Sequence, residues 1–159
     1  MKTNYGFTMV ELCVTLAVIA ISLSMGSVAF STLTSNRVRS ASDTIYAALA
    51  EARTEALKRN KTIAAVIASD SVTIQDGTTG NRIKKDTYSS SGSGVNVTTD
   101  TVYFSSTGQE ANLSSHTIQV TSPECTADST CLRIEVFGGG FIKVCNPSQG
   151  DSNAISSCI

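Results

Sequence analysis

The chain has 159 residues, with 12 Lys and Arg against 13 Asp and Glu, one His, no Trp and a formal net charge of −1. That length holds one modest domain plus one hydrophobic segment, and the near-neutral balance excludes the strongly basic surface of a general nucleic-acid binder. With a single His and no nucleophile–base pair in sequence, neither an enzyme activity nor a cofactor or metal is expected.

Residues 1–6, Met1-Lys2-Thr3-Asn4-Tyr5-Gly6, carry one positive charge and read as a leader. From Leu12 to Asn36 there is no Lys, Arg, Asp, Glu or His. As a helix that run would span about 37 Å, against a hydrocarbon core of about 30 Å. Residues 7–36 are therefore predicted to form a transmembrane helix, most deeply buried over Leu12 to Phe30, with Gly26 as a point of bending. A secretory signal would have a shorter apolar run, with the cut after it. Glu11 is the one charge in the segment, and a carboxylate at the hydrocarbon edge costs about 3 kcal/mol unless it is paired. A free amine made by cleavage between Gly6 and Phe7 would lie one helical turn away.

From Arg37 to Asn60 the helical period persists but becomes one-sided. Val38, Ala41, Ile45, Ala48, Leu49, Ala52, Ala56 and Leu57 recur at steps of three and four. Glu55 can meet Arg59 at i,i+4, and Lys58, Arg59 and Lys61 complement the carbonyl end of the helix. Past Thr62 the period changes to two. Residues 62–68 and 71–75 read as a hairpin, and 76–94 as a loop or irregular edge strand carrying Arg82, Lys84 and Lys85. Strands are predicted at 95–97, 101–104 and 117–121. Two more, at 132–137 and 141–145, flank Gly138-Gly139-Gly140, which permits any turn conformation. The head, 37–159, thus comprises an amphipathic helix (37–60), a β-rich part (62–145) and a polar tail (146–159). The fold class is α+β, a long N-terminal helix packed on an antiparallel sheet.

Cys13 reads as a small apolar residue. Cys125, Cys131, Cys145 and Cys158 lie in the polar last third and imply two disulfides in an oxidising compartment. Three pairings are possible. Cys125–Cys131 with Cys145–Cys158 is preferred because each closes a short loop of turn formers, and the spacings contain no CxxC pair for zinc. His116 has no evident partner in sequence and is read as a surface residue. Arg53, Lys58, Arg59 and Lys61 read as a solvated helix end. Arg82, Lys84 and Lys85, with Tyr88 nearby, are a solvent-facing loop or an anion contact.

The junction Gly6-Phe7 with Glu11 five residues after Gly6 resembles the N-terminus of type IV prepilins and type II secretion pseudopilins. The run Ala52-Arg53-Thr54-Glu55-Ala56-Leu57-Lys58-Arg59, the element Tyr103-Phe104-Ser105-Ser106-Thr107-Gly108 and the last hairpin are similar to the FimT/GspH family of minor pilins and pseudopilins. That resemblance implies a pilin fold and a structural subunit rather than a catalyst. It implies cleavage after Gly6 by prepilin peptidase, N-methylation of Phe7, and Glu11 pairing with an N-terminal amine during assembly. The implied partners are other major and minor pilins and an inner-membrane assembly platform. The implied location is the bacterial inner membrane with a periplasmic head, then a surface pilus or periplasmic pseudopilus. Major pilins usually carry a Pro in the membrane helix; here the only prolines are Pro123 and Pro147. DNA-uptake members carry Gly-Arg-x-Arg in the last hairpin, where this chain has Gly140-Phe141-Ile142-Lys143. Lys143, with Arg82, Lys84 and Lys85, is what remains for a DNA or other anion contact, a thin set for a ligand held by clustered cations.

Overall fold

A computed structural model describes residues 8–88, 94–123, 131–146 and 158, leaving the side chains of 23–35 outside the description. The leader at 1–6, Phe7, Cys125 and most of the tail therefore lie outside the described residues. The chain divides into two compact units, residues 1–33 and 34–159. The helix α1, Met9–Arg59, belongs to both and passes Gly26 as unbroken α-helix. At its start the Glu11 N–H donates to Thr8 Oγ1 at 3.3 Å, and the Leu12 N–H reaches the Thr8 carbonyl at 3.2 Å. Thr8 is thus an N-cap with an acid three residues on. At the far end Asn60 takes φ 51°, and the Lys61 N–H reaches back to the Ala56 carbonyl at 3.3 Å. This left-handed residue with its six-to-one hydrogen bond stops the helix.

In the second unit the residues of the one-sided helical pattern, Val38, Ala41, Ile45, Ala48, Leu49, Ala52 and Ala56, are all buried. Leu57, at the edge of that stripe, is exposed. Two four-stranded antiparallel sheets enclose the stripe, where the alternation in sequence predicts one. The first has the order β3-β2-β1-β5, built from β1 (Ile63–Ile67), β2 (Ser71–Asp76), β3 (Arg82–Thr87) and β5 (Asp100–Phe104). The second has the order β4-β6-β7-β8, built from β4 (Asn96–Val97), β6 (His116–Thr121), β7 (Leu132–Val136) and β8 (Ile142–Cys145).

Strand register aligns the inward faces. Ala65 opposes Ile74 and Val102, while Ile118 opposes Ile134 and Val120 opposes Leu132. The division into two sheets arises because the chain leaves β5 through a turn at 105–115 instead of a simple hairpin. That turn contains Gly108 (φ 77°) and Leu113 (φ 57°), and one bridge, Phe104 to Glu110, closes it. The described part of the segment 76–94 holds a turn and the edge strand β3, residues 89–93 lying outside the description. In the turn Asp76 Oδ1 accepts the N–H groups of Thr78 and Thr79 at 2.9 and 2.8 Å, and these hold its carboxyl below its ordinary value.

Two distant turns meet beside α1. Arg53 Nε donates to the Gly108 carbonyl at 2.9 Å. Gly140, at φ 80°, lies so close that a Cβ there would sit 2.0 Å from that same oxygen. Gly140→Ala is therefore expected to lower stability by about 2 kcal/mol or more, from left-handed strain and overpacking together. The urea midpoint of the full chain in detergent micelles, followed by circular dichroism, checks this; an unchanged midpoint would show that the junction yields freely.

Candidate functional site

Residues 8–22 form the described part of the N-terminal segment. Met9, Val10, Leu12, Val14, Leu16, Val18, Ile19 and Ile21 are all exposed, between 53% and 86%. Since these positions fall on every side of the helix, the segment is apolar all round, a pattern that demands an enclosing apolar environment. Among the described residues no helix is long and apolar enough to cross a membrane; residues 8–22 amount to about 22 Å of helix. Glu11 is exposed in this segment and forms no ion pair among the described residues. Gly6 and Phe7 lie outside them.

The basic residues singled out from sequence are not gathered into one patch. Arg82, Lys84 and Lys85 lie on β3, at the edge of the first sheet, and Lys143 lies on β8 of the second sheet, opposite Glu135. Lys84 bonds Glu51 of α1 at 2.6 Å and Asp86 at 3.0 Å, and these two carboxylates, Glu51 first, raise its pKa. It pins β3 to the helix instead of waiting for an anion. The groove beside it, about 510 Å³, is lined by Arg39 and Lys84 but also by Asp43, Glu51 and Asp86, so it presents both signs of charge. The Tyr88 hydroxyl donates to the Ala68 carbonyl; burial, then the nearby Asp70 charge, pushes its pKa up to about 12. On the helix end Glu55 holds Arg59 at 2.5 Å and Lys58 at 3.4 Å.

Cys145 and Cys158 are disulfide-bonded, closing a separation of 13 residues. Cys131 is also disulfide-bonded, and Cys125 lies outside the described residues. Glu135 stands near the Cys145–Cys158 sulfurs, but a disulfide offers no thiolate to a metal.

His116 is not the surface residue its sequence context implies. Its side chain is 18% exposed, with Nδ1 2.9 Å from Asp100 Oδ2 and Nε2 3.6 Å from Glu110 Oε1. Glu110 is buried, and Oε2 accepts the N–H groups of Asn112 (2.8 Å) and Ser114 (2.9 Å) and the Ser114 hydroxyl (3.1 Å). Burial pushes the Glu110 carboxyl up, but those donors and the neighbouring His116 outweigh it and hold it below its ordinary 4.5. Ser114 Oγ is also 3.4 Å from His116 Nε2, which completes a serine–histidine–aspartate arrangement. It lacks the rest of a hydrolytic site. The Ser114 N–H, a natural oxyanion donor, is spent on Glu110, and the hydroxyl lies nearer that carboxylate than the imidazole. The cluster instead ties β5 of one sheet to β6 of the other. Nothing local in the sequence announces it; the clue is an acid, Glu110, placed in a Gly-containing turn where its own backbone can fold around it.

A family model described as Type II transport protein GspH matches residues 41–140, a span that includes Arg53, Gly108 and the three glycines of the last hairpin. Two crystal structures of the Pseudomonas aeruginosa type IV minor pilin FimU are similar to this chain. One superposes with a TM-score of 0.60 at 18% identity, covering 78% of this chain and 96% of that one. The other gives 0.58 at 16% identity, covering 76% and 99%. The fold is thus a pilin fold, an N-terminal helix with antiparallel sheets. No curated protein matches the chain.

The Glu110 cluster sets part of the acid limit of the head. Because its folded pKa lies below 4.5, its contribution is complete above that value and is lost as pH falls through the folded pKa. Glu110→Gln is expected to cost about 1–3 kcal/mol at pH 7, from buried donors left with a poorer acceptor. The difference from the parent chain should narrow at pH 3. Urea midpoints at the two pH values check this, and a constant difference would remove the carboxylate from the argument.

Proposed function

The chain belongs to the GspH family of type II transport proteins, and we propose that it serves as a minor type IV pilin that primes pilus assembly near the fibre tip. The observation that supports this reading is the segment 8–22: apolar on every side, exposed, and carrying Glu11 as its one charge. Before assembly the lipid of the inner membrane is the environment that such a segment demands, with the head held in the periplasm. Prepilin peptidase cuts between Gly6 and Phe7, and the new amine at Phe7 is methylated. At the assembly platform the helix exchanges lipid for the helices of other major and minor pilins. Apolar packing supplies the energy without a preferred register, because the segment is greasy all round. Glu11 supplies the register: an acid in a low-dielectric bundle is stable only where it meets a neighbour's amine. Retaining that acid fits a subunit with another above it rather than one at the extreme tip.

The family description itself supports a second reading, a pseudopilin of a type II secretion system, which uses the same packing in a shorter periplasmic stub. Binding of DNA, as in uptake pilins, has little support: Phe141 stands where that motif has Arg, and Lys143 belongs to a different sheet from the β3 cations. Twitching, adhesion and DNA uptake are activities of a fibre that this subunit would help to build. No turnover by the head is expected, since the Ser114–His116–Asp100 set has its would-be oxyanion donor occupied.

Mass spectrometry of protein recovered from sheared fibres is expected to give a chain beginning at methylated Phe7, with Cys125–Cys131 and Cys145–Cys158 bridged. Glu11→Ala is expected to lower incorporation about tenfold or more, the effect of losing one ion pair of about 1.4 kcal/mol or greater, while the precursor level stays the same. A Met1 terminus in assembled fibres, or full incorporation of the alanine variant, would falsify the proposal.

A further inference from the structure

A groove of about 330 Å³ runs along α1 beside the β7–β8 turn. Its walls are Tyr46, Ala50, Thr54 and Leu57 from the helix and Phe141 and Ile142 from the hairpin, and Arg53 lies among them. Tyr46 is 42% exposed, Leu57 50% and Phe141 73%. These side chains belong to neither core face: Leu57 lies just beyond the buried stripe, and Phe141 precedes β8 in the turn. The wall is held in place, because Gly140 and Gly108 pack against each other and Arg53 Nε is bonded to the Gly108 carbonyl. Arg53 has no carboxylate in ion-pair reach among the described residues, whereas Lys58, Arg59, Lys84 and Arg133 each reach one.

We infer that this groove docks the head of a neighbouring pilin of different sequence, which inserts an apolar side chain flanked by an Asp or Glu. The inference rests on the reading of the chain as a minor pilin, whose neighbours in a fibre are mostly other pilins. Charge complementarity selects the occupant. A guanidinium beside Tyr46, Leu57, Phe141 and Ile142 is best satisfied by a carboxylate, which its two terminal nitrogens can grip with parallel hydrogen bonds while Nε holds the Gly108 carbonyl. Aromatic rings around an arginine, able to exclude water, form the type of patch that dominates protein–protein affinity. A nucleic acid would instead require a track of cations, and the groove offers one.

The test uses the full chain in its host cells, with Phe141 replaced by the photo-crosslinker p-benzoylphenylalanine. Fibre incorporation is measured separately by immunoblot of sheared fibres. The expected adduct maps, by mass spectrometry, to the head of another pilin, within two residues of an Asp or Glu. Arg53→Glu in the same chain lowers the adduct about tenfold, and Lys in place of the mapped acid restores it. Arg53→Lys keeps most of the adduct, which separates loss of charge from loss of the Gly108 contact. Incorporation without an adduct, or an adduct to DNA, to lipid or to a second copy of this chain, overturns the inference and leaves the minor-pilin reading standing. Failure of the parent chain to enter fibres would sink that reading instead.

Discussion

One continuous helix has to be stable in two surroundings, and that constraint shapes the chain. Over residues 8–22 α1 is apolar on all sides, and its large apolar side chains are exposed. Over 38–56 it is apolar on one side only, and four of the seven buried apolar positions are alanine: Ala41, Ala48, Ala52 and Ala56. Small side chains let a helix lie close to the strands that cover it. The larger residues then come from the sheets: Ile63, Ile67, Ile74 and Phe104 from the first, Ile118 and Ile134 from the second. Each such side chain contributes about 1.5–3 kcal/mol when fully buried. The head is therefore built around the helix, and the helix cannot be withdrawn from it without dissolving the core.

The same constraint accounts for the junction at Arg53. A helix enclosed by two sheets must have its flanks closed where the sheets part. On one flank Lys84 reaches from β3 to Glu51. On the other, Arg53 reaches the turn that follows β5, and the β7–β8 turn closes over both. Gly108 and Gly140 both adopt positive φ; the Gly108 carbonyl leaves Gly140 no room for a side chain, while a Cβ at Gly108 would press on the Leu57 and Arg53 side chains. Arg53, Gly108 and Gly140, one from each of the three head segments similar to the family in sequence, thus meet at one junction in space. Their spacing along the chain gives no hint of this.

Legibility in the sequence followed how local each cause was. The β1–β2 and β7–β8 hairpins could be read because alternation and turn residues lie within ten positions of one another. The helix could be read through its three-and-four steps, and its stop at Asn60 follows from one residue able to adopt positive φ. The strand β3, Arg82-Ile83-Lys84-Lys85-Asp86-Thr87, reads as a loop or irregular edge strand and no more definitely, because its charges belong to an exposed sheet edge, where they discourage pairing with other chains. The two-sheet division and the Glu110–His116–Asp100 cluster could not be read at all. The two acids that meet His116 lie six and sixteen residues before it, and all three come together only after β5 and β6 have joined different sheets. A lone histidine in sequence carries no record of two carboxylates brought to it by topology.

The last hairpin separates what the fold requires from what its surface can vary. Gly140 is fixed by the Gly108 oxygen, but Phe141 points to no such demand: it is 73% exposed, and the strand after it is paired through its backbone to β7. A position of that kind can exchange an arginine for a phenyl ring without disturbing the core, and the exchange changes what the surface attracts. Cations on a hairpin recruit polyanions at long range and lose them as salt rises. A ring beside one arginine acts only at contact, through desolvation, and favours a partner shaped to fit it. In a subunit whose helix takes no side in its apolar packing, such contacts in the head are where the order of neighbours can be decided.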